Sequence, residues 1–184
     1  MSQLRFATAR DVFDAFTLAP SSIGAKPTDE PPLDFLRGLV SKGKLDDAIA
    51  FCGYLLPRRE AVWWGCRSVR TLLPDADKTK SSGLSVAETW VRDPSADNRK
   101  AAEQLSDDAD RNDPLTWLAL AAAWSGGAIS IGGMPPFAPP PELTAHAARV
   151  AILLGARMLT PTERAARLRA CVDDGANLAE TGLR

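Results

Sequence analysis

Three prolines that each follow a helix-capping residue constrain the fold of this chain more than any other feature. The pairs are Asp93-Pro94, Asp113-Pro114 and Thr160-Pro161. The first side chain can accept a hydrogen bond from a free backbone N–H group at a helix start. Proline suits the next position because no N–H donor is needed there. Each pair therefore predicts the first residue of a helix.

The remaining sequence also favours helices over strands. It holds one tyrosine and few β-branched residues, and no long run alternates between apolar and polar residues. Apolar spacing and proline positions predict eight or nine helices. The predicted segments are Thr8–Phe16, Pro32–Ser41, Lys44–Leu55, Pro57 to Pro74, Leu84–Arg92, Pro94–Asp110, Pro114–Ser125, Glu142–Leu159 and Pro161–Ala179.

These segments predict an all-α fold, with antiparallel helix pairs packed around a core rich in tryptophan, of which the chain holds five. A length of 184 residues fits a single domain spanning residues 1–184. A short solenoid is the alternative, because residues 44–73 and 95–125 both contain a helix, a proline and a tryptophan-bearing helix. The prolines, serines and glycine of residues 18–31 predict an extended linker.

One predicted helix, Glu142–Leu159, has a continuous apolar face. Its members are Leu143, Ala147, Val150, Leu154 and Met158. This spacing is typical of a helix that packs through one side.

The strongest candidate site is a stripe on the fourth predicted helix. Arg59, Trp63, Arg67 and Arg70 recur at helical spacing. Guanidinium groups around an indole can bind carboxylate or phosphate through cation–π contacts and forked hydrogen bonds. The stripe therefore predicts either an anion-binding or partner-binding groove, or an internal ion-pair seam for which the acidic residues 107–113 are available as counterpart.

A second candidate is the apolar, glycine- and proline-rich loop at residues 126–141. It carries Ile129, Ile131, Met134 and Phe137. Its proline-rich end favours a stiff polyproline conformation. The loop is either a docking element for a partner or a strap across the protein's own helices. We expect the strap for Phe137, with the apolar residues before it nearer the surface and more open to a partner.

A metal or cofactor site is not expected. Cys52, Cys66, Cys171 and His146 lack the short spacings of zinc ligands. We expect buried thiols and a partly exposed histidine. No residue is assigned a catalytic role, because nothing indicates an orienting partner or an oxyanion hole.

Composition narrows the classes of partner. The formal net charge of −1 argues against affinity built on phosphate neutralisation. The apolar stretch Leu115–Ser125 is about half the roughly 20 residues of a membrane helix, and no signal peptide is recognisable. An odd set of widely spaced cysteines is typical of a reduced, cytoplasmic protein.

Several segments carry a family resemblance: RFATARDVFDAF, AFCGYLLPRREAVWWGCRSVR, ETWVRDPSADNRKAA and the region from TWLALAAAWSGGAIS to MPPFAPPPELTAHAARVAILLGA. Together they resemble an uncharacterised, all-helical family of Proteobacteria, a domain of unknown function. The resemblance covers most of the chain and is weakest over residues 18–31 and the last predicted helix. It implies no assigned activity and no catalytic residues. Some members accompany type VI secretion genes, which implies an accessory or adaptor role.

We expect a non-enzymatic, cytoplasmic protein–protein interaction module, an adaptor or accessory component of a bacterial assembly such as a secretion system. The expected partner is another protein, without nucleic acid or membrane insertion, and a homo-oligomer is compatible with the sequence. The alternative is an enzyme or small anionic-ligand binder that uses the arginine stripe. A third hypothesis is a structural subunit that oligomerises through residues 126–141.

The capping pattern at Thr160 can be tested directly. Thr160-Pro161-Thr162-Glu163 has capping-box spacing. Replacing Thr160 with alanine should lower the free energy of unfolding by about 1 kcal/mol, because a helix cap is lost. Urea denaturation would measure the change, and an unchanged midpoint would contradict a helix that starts there.

Overall fold

A computed structural model of the protein describes residues 4–76, 83–129 and 135–183. In these ranges the chain forms ten helices and no β-strand, which confirms the all-α prediction. The helices are α1 Ala9–Ala15, α2 Ala19–Ser22, α3 Pro32–Ser41, α4 Leu45–Leu55, α5 Arg58–Leu72, α6 Gly83–Arg92, α7 Ala96–Ser106, α8 Pro114–Ala123, α9 Glu142–Ala156 and α10 Pro161–Thr181.

Two of the three predicted caps are confirmed. The Thr160 hydroxyl accepts from the Glu163 backbone N–H at 3.4 Å, and the Glu163 carboxylate accepts from the Thr160 N–H at 3.2 Å. This reciprocal pair starts α10 as a capping box. At α8, the Asp113 carboxylate accepts from the Leu115 N–H at 2.8 Å.

The third cap lies two residues beyond the predicted one. Helix α7 is capped by Ser95, whose hydroxyl accepts from the Asn98 N–H at 3.3 Å. The Asp93 carboxylate instead accepts from the side-chain amide of Asn98 at 3.0 Å. Both Asp93 and Ser95 are good capping residues, so the sequence alone could not decide between them.

Residues 18–31 are packed rather than extended as a linker. They include the short helix α2, and Ile23 is buried. Backbone hydrogen bonds of 2.9 Å run from Ala9 N–H to the Glu30 carbonyl and from Arg10 N–H to the Thr28 carbonyl. The segment is therefore held against α1, with Ala19 and Ile23 buried and residues 28–31 exposed.

The helices surround two clusters of buried apolar side chains. One is built mainly from α1 to α4 together with α10, and the other mainly from α5, α6, α8 and α9. Helix α9 contacts α4, α5 and α8, and α10 contacts α4 and α5. Helices late in the sequence therefore pack against helices early in the sequence. This pattern indicates a compact array and not a solenoid, in which each repeat contacts only its neighbours.

Trp64 connects three helices at the centre of the first cluster. Its side chain is fully buried, and its indole Nε1–H donates to the Cys171 carbonyl oxygen at 2.8 Å. Glycines leave room for it: a Cβ on Gly175 would lie 2.8 Å from the indole nitrogen and 2.3 Å from the Cys52 sulfur. The contact therefore fixes α10 against α4 and α5. Trp90 is also buried, whereas the other three tryptophans are partly exposed.

Of the five residues on the apolar face predicted for α9, only Ala147 is buried. Met158, beyond the end of the helix, is 77% exposed, and Leu143, Val150 and Leu154 are only partly buried. Because α9 is enclosed by three helices, small side chains that permit close approach occupy the buried side. These are Ala147, Ala148, Ala151 and Gly155, together with Ile152.

We predict that Gly175→Ala destabilises the protein by about 2 kcal/mol or more, because the added methyl group overfills the contact between Trp64 and Cys52. Gly38→Ala is the matched control. Its Cβ would meet no atom within 4 Å in α3, so it should stabilise by about 0.5–1 kcal/mol through helix propensity. Thermal denaturation followed by circular dichroism measures both. Equal effects of the two variants would contradict the packing described for α10.

Candidate functional site

The arginines of the predicted stripe all lie on α5, and each is engaged within the chain. Arg59 donates to the Val91 carbonyl oxygen at 2.7 Å. Arg67 forms an ion pair with Asp174, with 2.5 Å between its nitrogen and the carboxylate oxygen. These contacts tie α5 to α6 and to α10.

Arg70 makes the most extensive of these contacts. Its guanidinium donates hydrogen bonds to both carboxylate oxygens of Glu88, one of them at 2.9 Å. Glu88 is buried. Arg92 approaches the same carboxylate at 3.8 Å. The acidic residues 107–113 are not the counterpart of the stripe. Asp113 caps α8, and Asp110 accepts from Asn112.

Trp63 is partly exposed and lines a cavity of about 460 Å³ with Arg67. The other walls come from the C-terminal part of the chain: Asp174, Asn177, Leu178, Thr181, Gly182 and Leu183. Burial raises the pKa of Asp174, while nearby Arg67 opposes the rise. One Asp174 oxygen is buried without a hydrogen-bond partner. The stripe thus contributes Trp63 and Arg67 to one cavity, and the other two arginines lie outside it.

The cysteines and the histidine do not meet as a metal site. Among the described residues, no group of three or more potential His, Cys, Asp or Glu ligands is positioned to hold an ion. All three thiols are buried, and burial raises the pKa of Cys171 to about 11. His146 is partly exposed, as expected, and packs edge-on against Trp117 with 6.1 Å between ring centroids.

Arg58 clamps the two ends of the loop at residues 126–141 together. It donates to the carbonyl oxygens of Ser125 at 2.7 Å and Pro139 at 3.2 Å. Inside this clamp, Ile129 and Phe137 exchange backbone hydrogen bonds of 2.9 and 3.0 Å as an isolated antiparallel bridge. Both ends of the loop are therefore held against the helices.

The burial of Ile129 and Phe137 differs from the burial predicted from the sequence. Ile129 is 2% exposed, so the prediction that it lies near the surface is wrong, while Phe137 is partly buried. Ile129 pairs with Phe137 through two backbone hydrogen bonds, and sequence spacing does not show this pairing. Ile131 and Met134 lie outside the described residues.

A groove with an apolar floor, which we call the α3–α10 groove, lies between α3 and α10. Its volume is about 360 Å³. The floor consists of Leu33, Leu36, Val40, Val172 and Ala176. The rim consists of Arg37, Ser41, Asp173, Asn177 and Glu180.

The rim of the groove has an excess of negative charge. Arg37 pairs with Asp34 at 2.8 Å. Asp173 and Glu180 are exposed on α10, and neither forms an ion pair with a described residue. Seven residues, or about 10.5 Å of helix rise, separate them, so both lie on one side of α10.

The groove was not recognisable from the sequence. Leu33, Leu36 and Val40 have helical spacing, as do Val172 and Ala176. The same spacing describes a helix face covered by the core. Only the exposed carboxylates two turns apart, Asp173 and Glu180, could have provided a signal.

These features define an all-α domain whose open surfaces are bounded by helices. The chain belongs to a family of unknown function, DUF6931, whose family model matches residues 35–179. Neither a curated protein nor a solved structure matches the chain. In the part of the chain that the structure describes, no helix has the length and apolar character needed to cross a membrane.

We predict that Ile129→Ala lowers the free energy of unfolding by about 3 kcal/mol, because a buried side chain of the clamped loop is truncated. Phe137→Ala should lower the free energy of unfolding by less, because Phe137, which pairs with Ile129 through the backbone, is only partly buried. Chemical denaturation of both variants measures the two losses of unfolding free energy and shows whether that of Ile129→Ala is the larger. A loss within about 0.5 kcal/mol for Ile129→Ala, as for a surface position, would contradict a packed strap.

Proposed function

We propose that the protein is a non-enzymatic interaction module that binds a basic amphipathic helix of another protein in the α3–α10 groove. One observation carries the proposal: an apolar floor and two unpaired carboxylates occur in the same open groove. Grooves of this kind receive the side chains that a helix presents at positions i, i+3, i+4 and i+7.

The unpaired carboxylates on the rim determine which kind of helix would bind in the groove. Lysine or arginine residues two turns apart on the partner would match the spacing of Asp173 and Glu180 along α10. The opposite rim supplies no competing free charge, because Arg37 is paired with Asp34. Such complementarity favours orientation and specificity, while the apolar floor supplies most of the affinity.

The state of the thiols supports a non-enzymatic role. Burial raises the pKa of Cys52, Cys66 and Cys171 above the ordinary value for a thiol. The side chains stay protonated near neutral pH and lie out of reach of a substrate. A thiol of this kind is a poor nucleophile.

We further propose a cytoplasmic adaptor or accessory role in a bacterial assembly such as a secretion system. The bacterial setting rests on the family resemblance of the sequence segments described above. Three free, buried cysteines are in keeping with a reducing compartment. The formal net charge of −1 favours a protein partner over nucleic acid.

The small-anion alternative has less support. Arg59, Arg67 and Arg70 already bind a carbonyl or a carboxylate of the chain. A phosphate in the Trp63 cavity would have to displace Asp174 from Arg67, and the remaining arginines do not reach that cavity.

The groove can be tested with a synthetic amphipathic helix that carries lysines two turns apart beside a leucine stripe. Titration calorimetry with the full chain should detect binding, and Asp173→Lys/Glu180→Lys should weaken it at least about tenfold through charge repulsion. Val40→Asn should also weaken it, because an apolar part of the floor is lost.

Asp107→Lys/Asp108→Lys is the matched control, since it makes the same charge change at exposed positions after α7. It should leave the affinity within about twofold, because α7 packs mainly against α6 and α8 and not against the helices that form the groove. If both double variants weaken binding equally, or if Val40→Asn has no effect, the groove is not the binding site.

A further inference from the structure

The outer side of α9 carries an apolar stripe that the protein's own core does not cover. Leu143, Val150, Leu154 and Met158 recur at intervals of seven, four and four residues, which places them along one side of the helix. None of them belongs to either buried cluster or packs against it. Met158 is 77% exposed. We call this stripe, with Arg149 and Arg157 beside it, the α9 surface.

The middle of the α9 surface is a shallow depression of about 270 Å³. Its apolar lining comes from α9, and side chains of α4 and α10 bound it. The lining residues are Asp46, Arg149, Val150, Leu153, Leu154, Arg157 and Arg164.

Two of the arginines around the depression have unneutralised charge. Arg164 pairs with Asp46 at 2.6 Å. Arg149 and Arg157 form no ion pair with any described residue, and the Nε of Arg149 is buried without a hydrogen-bond partner. They are eight residues, or about 12 Å of helix rise, apart. An occupant with carboxylates at that separation would satisfy both.

We propose that the α9 surface binds an acidic amphipathic helix of another protein. Apolar side chains of that helix fill the depression over Val150 and Leu154. Its carboxylates accept forked hydrogen bonds from Arg149 and Arg157, the geometry in which arginine binds carboxylate best. Met158 extends the apolar contact beyond the last turn of α9.

A second copy of this chain fits the α9 surface poorly. The one acidic residue within α9 is Glu142, which is 7% exposed. Two α9 surfaces placed face to face would therefore bring their arginines together, and Asp46, the carboxylate that lines the depression, is already paired with Arg164. An anionic lipid surface also fits poorly, because interfacial helices insert a protruding apolar face and Val150 and Leu154 line a depression.

This site goes beyond the function proposed for the α3–α10 groove and does not depend on it. The two surfaces share no residue, and their unpaired charges are opposite in sign. Together they would let one chain bridge a basic helix and an acidic helix.

The test uses the full chain and a fluorescein-labelled, hydrocarbon-stapled helix with a leucine stripe and glutamates two turns apart. Fluorescence anisotropy should show saturable binding, and Arg157→Glu should weaken it at least about tenfold, since a like charge replaces an attractive one. Leu154→Gln should weaken it as well. Arg169→Glu, an equal charge change at another exposed position, should leave it within about twofold.

Asp173→Lys/Glu180→Lys, the variant that disrupts the groove, should leave binding of the acidic helix intact, so the two proposals can fail separately. Absence of binding by the acidic helix would overturn the assignment. So would equal losses in Arg157→Glu and Arg169→Glu. Binding of phosphatidylserine vesicles that is lost in Arg157→Glu would also overturn it, and would assign the surface to lipid instead. Circular dichroism of each variant verifies that the helices are retained.

Discussion

The contact of Trp64 with Gly53 and Gly175 determines where the last helix can lie. A Cβ at Gly53 would meet Ala145 at 3.3 Å and the Trp64 ring at 3.7 Å, and a Cβ at Gly175 would overlap Cys52 and the indole. The indole hydrogen bond to Cys171 then sets the position of α10 along α5. Since α10 is the helix furthest along the chain, this contact joins the end of the sequence to its first half.

The position of α10 creates the surfaces on both of its sides. On one side, Asp174 meets Arg67 and closes a wall of the Trp63 cavity. On the other side, Val172 and Ala176 face α3 across the groove, and Asp173 and Glu180 form its acidic rim. The charged residues therefore divide into two kinds. The α5 arginines hold helices together, whereas Asp173 and Glu180 on the rim form no ion pair with a described residue.

Much of the architecture could be predicted from the sequence, because helix ends follow local rules. The capping box at Thr160 depends on neighbouring residues alone, and it is present as predicted. The orientation of a helix depends on residues far away in the sequence. Apolar spacing marked Leu143 to Met158 as one face of α9, yet three surrounding helices select the alanine and glycine face for burial. Likewise, the stripe on α5 was recognised, but its partners Glu88 and Asp174 were not, since no local signal pairs them with arginines.

Amide NMR of the isotope-labelled full chain, titrated with the basic helix in one sample and with the acidic helix in another, tests most directly whether two separate surfaces bind partners of opposite charge. The account predicts that the basic helix shifts resonances of α3 and the C-terminal half of α10, and that the acidic helix shifts those of α9. Each set of shifts should saturate in its own titration. Shifts from both helices at the same residues, or shifts centred on Trp63 and Arg67, would contradict it.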